Sequence, residues 1–519
     1  MQSVILQNAR RILSLRGYYS SISCSERRVT ISEISLNRTR LQICTRSHSS
    51  LVLSDAQRRT IYALSTPMGK AGVAVIRISG PDALKVWKSI IKTAAQRLPD
   101  PWKFQRCKIV HPERQEVLDD GLAVFFKSPK SFTSEDVVEL HIHSGRAIIS
   151  SVLNALSALS FCRPAEAGEF TRRAFQGGRL DLTQVEGLKD LIDAETETQR
   201  RIALQAAGGA SRAQFEHLRS EIIHCLAMVE ALIDFGEGED LEEGVFEQAR
   251  AKAFQLHQTI QAHLEDGRRG EIIRSGLRVA IFGPPNAGKS SLLNFLAQRE
   301  AAIVTSLPGT TRDILELSLD IGGLPLIVAD TAGLRATDDL VESIGIERAK
   351  SMVQASDLSL CVLSLPEIYE SSYFHIPSSS KDLITPETCF LLNKSDLLQT
   401  QPSDIQIQSA LGKNAWIASL ETGHRTFEFL SSFTEMLKQR YDTSDAQGTT
   451  TPLITHARHR THLTSASQFI ASFLQYSSED IVLGAEELRY AAQAVGKISG
   501  IIDVEDVLDA VFRDFCIGK

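Results

Sequence analysis

The chain has 519 residues, of which 43% are apolar and 23% are charged, and its net charge at pH 7 is −7. This length predicts three or four domains, and the composition is typical of a soluble globular protein. It excludes a global basic field for nucleic acid, so an RNA site would be a local patch or be shared with a partner. No apolar run approaches the length of a membrane span.

The first fifty residues differ in charge from the rest of the chain. They hold eight arginines, no lysine and two acids, so they carry +6 and the remainder carries −13. An Arg- and Ser-rich, acid-poor amino terminus predicts a mitochondrial or plastid transit peptide over 1–55, and we favour mitochondria. The alternative interpretation of this segment is a disordered basic arm. The eight cysteines include no C-x-x-C pair, which fits a reducing compartment and no structural zinc.

An α+β domain is predicted over residues 56–175. Apolar strand runs occur at 72–78 and 123–126, and residues 137–142 alternate between apolar and polar. Helical patterns intervene at 82–92 and 148–159. Helical periodicity then dominates residues 176–274, where Leu218, Ile222, Leu226, Val229 and Ile233 recur on one face. We interpret this apolar face as core.

A phosphate-binding loop follows the helices. Residues Gly283 to Ser290 read GPPNAGKS and fit the pattern G-x-x-x-x-G-K-[ST]. In this pattern Lys289 reaches the β- and γ-phosphates and Ser290 supplies a hydroxyl to Mg²⁺. A strand is predicted at 277–282 and a helix at 291–296, whose positive amino terminus faces the anion. The candidate nucleotide contacts here are Asn286, Ala287, Gly288, Lys289, Ser290 and Ser291.

The base specificity is predicted from residues about a hundred positions later. After an apolar strand at 388–392, the chain reads Asn393-Lys394-Ser395-Asp396. The Asp396 carboxylate accepts hydrogen bonds from N1–H and N2–H of guanine, whereas adenine lacks this donor pair. Ser419 is a weaker candidate for a backbone contact to the base. The predicted nucleotide is therefore GTP.

Two polar segments between these motifs complete the order of a GTPase. Thr310 and Thr311 lie in a loop suited to a switch, with Thr311 as the second Mg²⁺ hydroxyl. Asp330, Thr331, Ala332 and Gly333 follow a predicted strand at 324–329 and would face the metal and the γ-phosphate. Leu334 occupies the position where many GTPases place a water-orienting Gln. The acids Asp338, Asp339, Glu342 and Glu347 are candidates for that role, although their positions alone favour a solvated loop and the start of a helix.

The helical character resumes near the carboxyl terminus, with an apolar stripe between Leu463 and Leu474. We therefore predict a discontinuous helical domain, 176–274 and 443–519, that is interrupted by an α/β P-loop GTPase (Ras-like) domain at 275–442. Residues 441–452 would form the return linker, and the Ser-rich segment 369–381 is predicted to be a surface loop. The fold class is thus multidomain, with an N-terminal α+β domain.

Several segments together resemble the MnmE/TrmE family of tRNA-modification GTPases. They are GVAVIRISG at 72–80, DTAGLR at 330–335, VESIGIERA at 341–349 and FCIGK at 515–519. The resemblance runs from about Thr60 to the last residue. It implies a homodimer formed through a folate-binding N-terminal domain, and paired GTPase domains in which K⁺ replaces an arginine finger.

The resemblance also implies roles for individual residues. Glu342 matches the catalytic acid that activates water, and the K⁺ ligands are matched by Asn286, Thr305, Leu307 and Thr310. Thr305 and Thr310 also join the GTP contacts. The folate-site positions are Arg77, Glu139, Arg179 and Lys519, although without the family Arg77 and Glu139 are equally a strand-end salt bridge. The residues at 141–145 depart from the glycine-rich family pattern. Cys516 is either a buried apolar residue or a residue near the modification chemistry.

The resemblance implies K⁺-dependent GTP hydrolysis coupled to modification at C5 of the wobble uridine of mitochondrial tRNAs, of carboxymethylaminomethyl or taurinomethyl type. The expected cofactors are GTP, Mg²⁺, K⁺ and a 5,10-methylene- or 5-formyl-tetrahydrofolate. FAD would come only through a GidA/MnmG-type flavoprotein partner, and the protein would act in the mitochondrial matrix. The alternatives are a ribosome-assembly or RNA-remodelling GTPase, which predicts a basic appendage, and a slow GTP-gated switch, which predicts indifference to K⁺.

Overall fold

The structure, a computed structural model, describes residues 59–93, 98–235, 242–265, 268–299, 316–330, 350–370, 373–441, 452–501 and 518. All of them belong to one unit, Arg58–Lys519. Within these residues the chain forms a mainly antiparallel sheet, a group of long helices and a mainly parallel sheet, in that order of first appearance.

The amino-terminal sheet has seven strands in the order β3-β4-β5-β6-β2-β1-β7. All neighbours are antiparallel except β1 and β7. One face packs on two helices through residues such as Ile76, Ile109, Leu140 and Val152. The elements are β1 (Thr60–Leu64), β2 (Ala71–Ser79), α1 (Ala83–Ile90), β3 (Ile91–Lys92), β4 (Gln105–Val110), β5 (Val117–Phe126), β6 (Val137–Ser144), α2 (Arg146–Ser157), β7 (Cys162–Pro164) and α3 (Glu169–Gln176).

The predicted helix over 82–92 is too long. The helix α1 ends at Ile90, because Ile91 takes an extended backbone with φ −111° and ψ 126°. Ile91 then pairs with Ile109 across β3 and β4. β-Branched residues favour the extended backbone, where the side chain packs against its cross-strand neighbour.

The helical region draws its core from two distant parts of the chain. A single buried cluster contains Phe215, Ile222 and Ile260 together with Leu463 and Leu488. The predicted apolar face at 218–233 is buried except at its end, where Ile233 is 39% exposed. The helices are α4 (Leu182–Asp193), α5 (Glu197–Ala207), α6 (Ala210–Phe235), α7 (Glu242–Leu264), α8 (Arg269–Ser275), α14 (Ala457–Phe473) and α15 (Ile481–Ser499).

The second sheet has six strands in the order β15-β14-β11-β8-β10-β9. Only β9 and β10 pair antiparallel. Its central strands are buried on both faces, as expected for a parallel sheet covered by helices. The elements are β8 (Leu277–Phe282), α9 (Lys289–Arg299), β9 (Glu316–Ile321), β10 (Leu324–Asp330), β11 (Leu358–Ser364), α10 (Leu365–Ile368), β12 (Tyr369–Glu370), β13 (Tyr373–Phe374), α11 (Ser378–Lys381), β14 (Cys389–Asn393), α12 (Asp404–Leu411), β15 (Ala415–Ile417) and α13 (Thr426–Arg440).

The Ser-rich segment at 369–381 is not simply a surface loop. Its first part forms the two-stranded pair β12–β13, and its last part forms the helical turn α11. The ring centres of Tyr369 and Phe374 lie 5.0 Å apart across this pair. This aromatic contact stabilises the pair, and the serine content of the segment does not predict it.

No helix among the described residues is both long and apolar enough to cross a bilayer. The cysteines that the structure describes, Cys107, Cys162, Cys225, Cys361 and Cys389, are all buried and unpaired with each other. Burial raises the pKa of each thiol, to about 12 for Cys361 and Cys389, so these residues serve as small apolar core groups.

Candidate functional site

The phosphate loop lies between the end of β8 and the start of α9. Within it Gly283, Asn286 and Gly288 have φ values of 147°, 57° and 108°. Such positive values curl the backbone so that successive N–H groups face one concavity. Lys289 Nζ spans the loop and donates to the Gly283 and Pro284 carbonyl oxygens at 2.9 and 2.8 Å.

The two glycines of the loop are required by close contacts. A Cβ on Gly283 would lie 2.1 Å from the Val362 carbonyl oxygen, and one on Gly288 would lie 2.0 Å from Asn393 Nδ2. Asn286, Ser290 and Ser291 are exposed around the loop, whereas Ala287 is fully buried beneath it. The residues present therefore fit a phosphate chain, with Ser290 at the amino terminus of α9, where a metal-bound hydroxyl is expected.

Asn393 joins the base motif to the phosphate loop. It is the last residue of β14, which is separated from β8 by β11. Its Nδ2 donates to the Ala287 carbonyl oxygen at 2.9 Å, and its Oδ1 accepts from the Leu420 backbone N–H at 3.0 Å. Asn393 is 4% exposed, so the bond to Ala287 is shielded from water, whereas the bond from the half-buried Leu420 is only partly shielded. One side chain thus connects three loops that the sequence places far apart.

The other residues predicted for the base lie beside Asn393. Asp396 is exposed at the rim, and Lys394, with φ 64°, places its Nζ 3.6 Å from Glu367. Ser395 and Ser419 are fully buried, and the Ser419 hydroxyl accepts from the Thr422 N–H at 3.2 Å. Ser395 Oγ has no hydrogen-bond partner among the described atoms. Because Asp396 is exposed, a ligand can reach its carboxylate, and its predicted contact with guanine stays a prediction.

Part of the predicted site lies outside the described residues. This part comprises Thr305, Leu307, Thr310, Thr311, Thr331, Ala332, Gly333, Glu342, Cys516 and Lys519. Asp330 is described through its backbone alone, as the last residue of β10 opposite Ile281 on β8. The structure therefore brings the phosphate and base motifs together, and the predicted switch, K⁺ and catalytic positions remain predictions.

The predicted folate positions Arg77 and Glu139 face each other on β2 and β6. Arg77 Nε donates to Glu139 Oε1 at 2.9 Å, and the guanidinium carbon lies 4.9 Å from the centre of the Phe132 ring. Burial alone would raise the pKa of Glu139, but His141 and the charge of Arg77 hold it below its usual value. The two side chains thus form the cross-strand salt bridge that was the alternative interpretation, and their role in folate binding stays a prediction.

Arg179 and Gly518 each contact the amino-terminal domain. The exposed Arg179 donates from Nη1 to the Ser131 carbonyl oxygen. Gly518 is buried, and its carbonyl oxygen accepts from Ser65 Oγ at 2.9 Å. A Cβ on Gly518 would lie 2.0 Å from the Leu64 carbonyl oxygen, so only glycine fits this contact. The chain end is thus held against the end of β1.

A buried ionic cluster between α4 and α14 was not predicted from the sequence. Glu186 accepts from Arg458 Nε and Nη2 and from His459 Nε2, each at 2.9 Å. Ligand atoms of Glu186, His456 and His459 lie within 4.8 Å of one another, which is metal-like spacing. Because Arg458 already neutralises both carboxylate oxygens, we interpret the cluster as a salt-bridge network.

The neighbouring Asp190 is held more loosely. Its Oδ1 lies 3.5 Å from Arg274 Nη1, and its Oδ2 lies 3.5 Å from His456 Nε2. Burial raises the pKa of Asp190 to about 6, against the opposing charge of Arg274. Burial also lowers the pKa of His456 to about 3, against the charge of Glu186. No sequence motif marks this group, since Arg274 and His456 lie 84 and 266 positions beyond Asp190 in the chain.

Comparison with known proteins finds two matching family models and several similar relatives. The family model of the MnmE helical domain matches residues 182–516, and that of the GTP-binding protein TrmE N-terminus matches 60–179. The mitochondrial 5-taurinomethyluridine-tRNA synthase subunit GTPB3 of Danio rerio is 44% identical over 89% of this chain and 93% of its own. The tRNA modification GTPase MnmE of Parvibaculum lavamentivorans is 45% identical over 89% of this chain and all of its own. The mitochondrial tRNA modification GTPase gtpbp3 of Dictyostelium discoideum is 40% identical over 89% and 95%.

Proposed function

Because the chain belongs to the MnmE/TrmE family and is a GTPase acting in tRNA modification, we propose that it couples K⁺-dependent GTP hydrolysis to modification at C5 of the wobble uridine. The observation that carries the nucleotide part is the Asn393 side chain. It holds the phosphate loop and the base motif in one hydrogen-bonded unit.

The proposed nucleotide site combines described and undescribed residues. Lys289 and the loop N–H groups would bind the phosphates, Ser290 and Thr311 would hold Mg²⁺, and Asp396 would read guanine. K⁺ would be bound through Asn286 and the residues Thr305, Leu307 and Thr310. A cation beside the phosphates stabilises the charge that develops in the transition state. Glu342 would orient the attacking water in place of the missing Gln.

The proposed modification chemistry is of the carboxymethylaminomethyl or taurinomethyl type. Support for the second comes from a relative named as a taurinomethyluridine synthase subunit, a word that also implies a partner. We propose that the partner is a GidA/MnmG-type flavoprotein that brings FAD. Arg77, Glu139, Arg179 and Lys519 would bind a reduced folate as the one-carbon donor. The homodimer, formed through the amino-terminal domain, would act in the mitochondrial matrix.

The proposed hydrolysis is tested by GTP turnover of the full chain in equal concentrations of K⁺ and Na⁺. We expect turnover to be at least about tenfold faster in K⁺, because the added charge stabilises the transition state. Glu342→Ala should lose this turnover, while Glu347→Ala, which changes another acid of the same segment, should retain it. Equal rates in both cations, or an active Glu342→Ala variant, would refute the K⁺ and Glu342 assignments.

A further inference from the structure

The GTPase domain is joined to the helical domain by two segments that contact each other. We name α8 the outgoing connector and residues 452–456 the return connector. A Cβ on Gly270 would lie 2.1 Å from the Ile454 carbonyl oxygen, so the two backbones touch. Arg274 Nε on the outgoing connector also donates to the Thr455 carbonyl oxygen at 2.9 Å. A displacement of one connector must therefore move the other.

Both connectors meet α4 at one carboxylate, and the outgoing connector also contacts α5. Asp190 on α4 faces Arg274 of the outgoing connector and His456 of the return connector, each at 3.5 Å. Gln199 Nε2, at the start of α5, donates to the Arg274 carbonyl oxygen at 3.0 Å. Asp190 thus lies at the point where movement of the GTPase domain would reach the helices.

The contacts of Asp190 differ from those of Glu186, one helical turn earlier on α4. Glu186 is fixed by three bonds of 2.9 Å, whereas both Asp190 contacts are at the outer limit of hydrogen bonding. A cavity of about 210 Å³ also borders Asp190, Arg274 and Thr455. Because packed interiors resist displacement, this space allows the Asp190–Arg274 pair to rearrange, while the Glu186 cluster keeps α4 attached to the start of α14 as the two helices move together.

Helix α4 continues from this pair towards the predicted folate positions. From Asp190 back to its first residue, Leu182, the helix rises about 12 Å, and the segment before its amino terminus carries Arg179. A capping box of Asp181 and Gln184 fixes that end. A Cβ on Gly187 would lie 2.6 Å from the Ala207 backbone nitrogen, so α4 and α5 pack as one stiff pair. A shift at Asp190 would therefore be delivered to Arg179.

We propose that Asp190 and Arg274 are positioning residues that couple the nucleotide state of the GTPase domain to ligand affinity at Arg77, Glu139 and Arg179. This inference rests on the proposed GTP and folate sites. It adds the route between them: connectors, Asp190, the α4–α5 pair and the Arg179 segment. Coupling of this kind is reciprocal, so a nucleotide that alters folate affinity is itself bound differently when folate is present.

The test compares the Kd of 5-formyltetrahydrofolate with GDP and with a non-hydrolysable GTP analogue, using the full chain. In the wild type we expect the two Kd values to differ by at least about fivefold, the lower range of allosteric couplings. Asp190→Asn, Arg274→Met and the double variant should each bring the ratio close to one. The double variant should bring the ratio no closer to one than either single variant, because each single change already breaks the Asp190–Arg274 pair.

Arg200→Met is the matched control. Arg200 lies on α5 in an exposed pair with Glu197, so its removal should leave the ratio unchanged. A wild-type ratio of one, or variants that keep the wild-type ratio, would overturn the coupling. So would variants that weaken folate binding equally with both nucleotides, since that pattern marks a structural role. If the wild type binds no folate at all, the proposed folate site fails first and the coupling fails with it.

Discussion

Replacing Asn393 with Ala should damage both the stability and the nucleotide affinity of the GTPase domain. The change removes the bonds to the Ala287 carbonyl oxygen and from the Leu420 N–H. A buried polar group left without a partner costs about 1–3 kcal/mol. Ala287 is fully buried and Leu420 only half-buried, so water would partly satisfy the second group. The free energy of unfolding should fall by about 2–4 kcal/mol.

The assay is urea unfolding followed by the fluorescence of Trp416, which lies in β15 beside the base motif. Trp87 and Trp102 are replaced by Phe in all proteins, so that the signal reports on the GTPase domain alone. GTP affinity is measured in parallel by titration with a fluorescent GTP analogue. We expect the affinity to fall by at least about tenfold, equivalent to about 1.4 kcal/mol, because the phosphate loop loses its anchor.

Two further variants sharpen the interpretation. Asn294→Ala, at an exposed position on α9, should change the free energy of unfolding by less than about 0.5 kcal/mol. Asn393→Asp keeps the acceptor for the Leu420 N–H but sets a carboxylate against the Ala287 carbonyl oxygen, so GTP should bind even more weakly than to Asn393→Ala. If Asn393→Ala has the unfolding free energy and the GTP affinity of the wild type, the Asn393 hydrogen bonds do not hold the phosphate loop and the base motif together.

Three other changes test separate parts of the structure. Gly288→Ala should reduce GTP affinity at least about tenfold, because its Cβ meets Asn393, whereas Gly412→Ala, also at positive φ but with open space around it, should not. Asp396→Asn should weaken GTP binding by about a hundredfold and favour xanthosine triphosphate, whose 2-oxo group accepts from the new amide. His456→Gln should lower the acid sensitivity of unfolding, measured in urea at pH 7 and pH 5.

The sign of the last effect follows from the pKa of His456. Its folded value is about 3 and its unfolded value is about 6.5. The unfolded state therefore binds the extra proton below pH 6.5, and stability falls as pH decreases. Between pH 7 and pH 5 this proton uptake lowers the free energy of unfolding by about 2 kcal/mol. Asp190 has its pKa raised to about 6, so its protonation stabilises the folded state as pH falls. This opposing effect is the same in the wild type and in the variant. Glu186, Arg274, Arg458 and His459 face the same group and are unchanged.

Local sequence determined the elements whose structure depends on neighbouring residues. The glycines at 283 and 288 and the apolar run at 277–282 predict the strand, loop and helix that the structure contains. Helical periodicity likewise predicts the buried positions of α6 and α14, because the 3.6-residue repeat brings them to one face. The resemblance to a family added the expected roles of Glu342, the K⁺ ligands and the folate positions, which stay predictions.

Only the tertiary structure decided the contacts between residues far apart in the chain. The strand at Ile91, the pairing within 369–374 and the exposure of Ile233 depend on which neighbour each segment meets. Glu186 contacts Arg458 across 272 positions. Such pairs form because an inserted domain returns the chain to where it left, and no local pattern records that closure. Sequence therefore predicted the chemistry of the nucleotide site, and folding decided how that site is joined to the rest of the molecule.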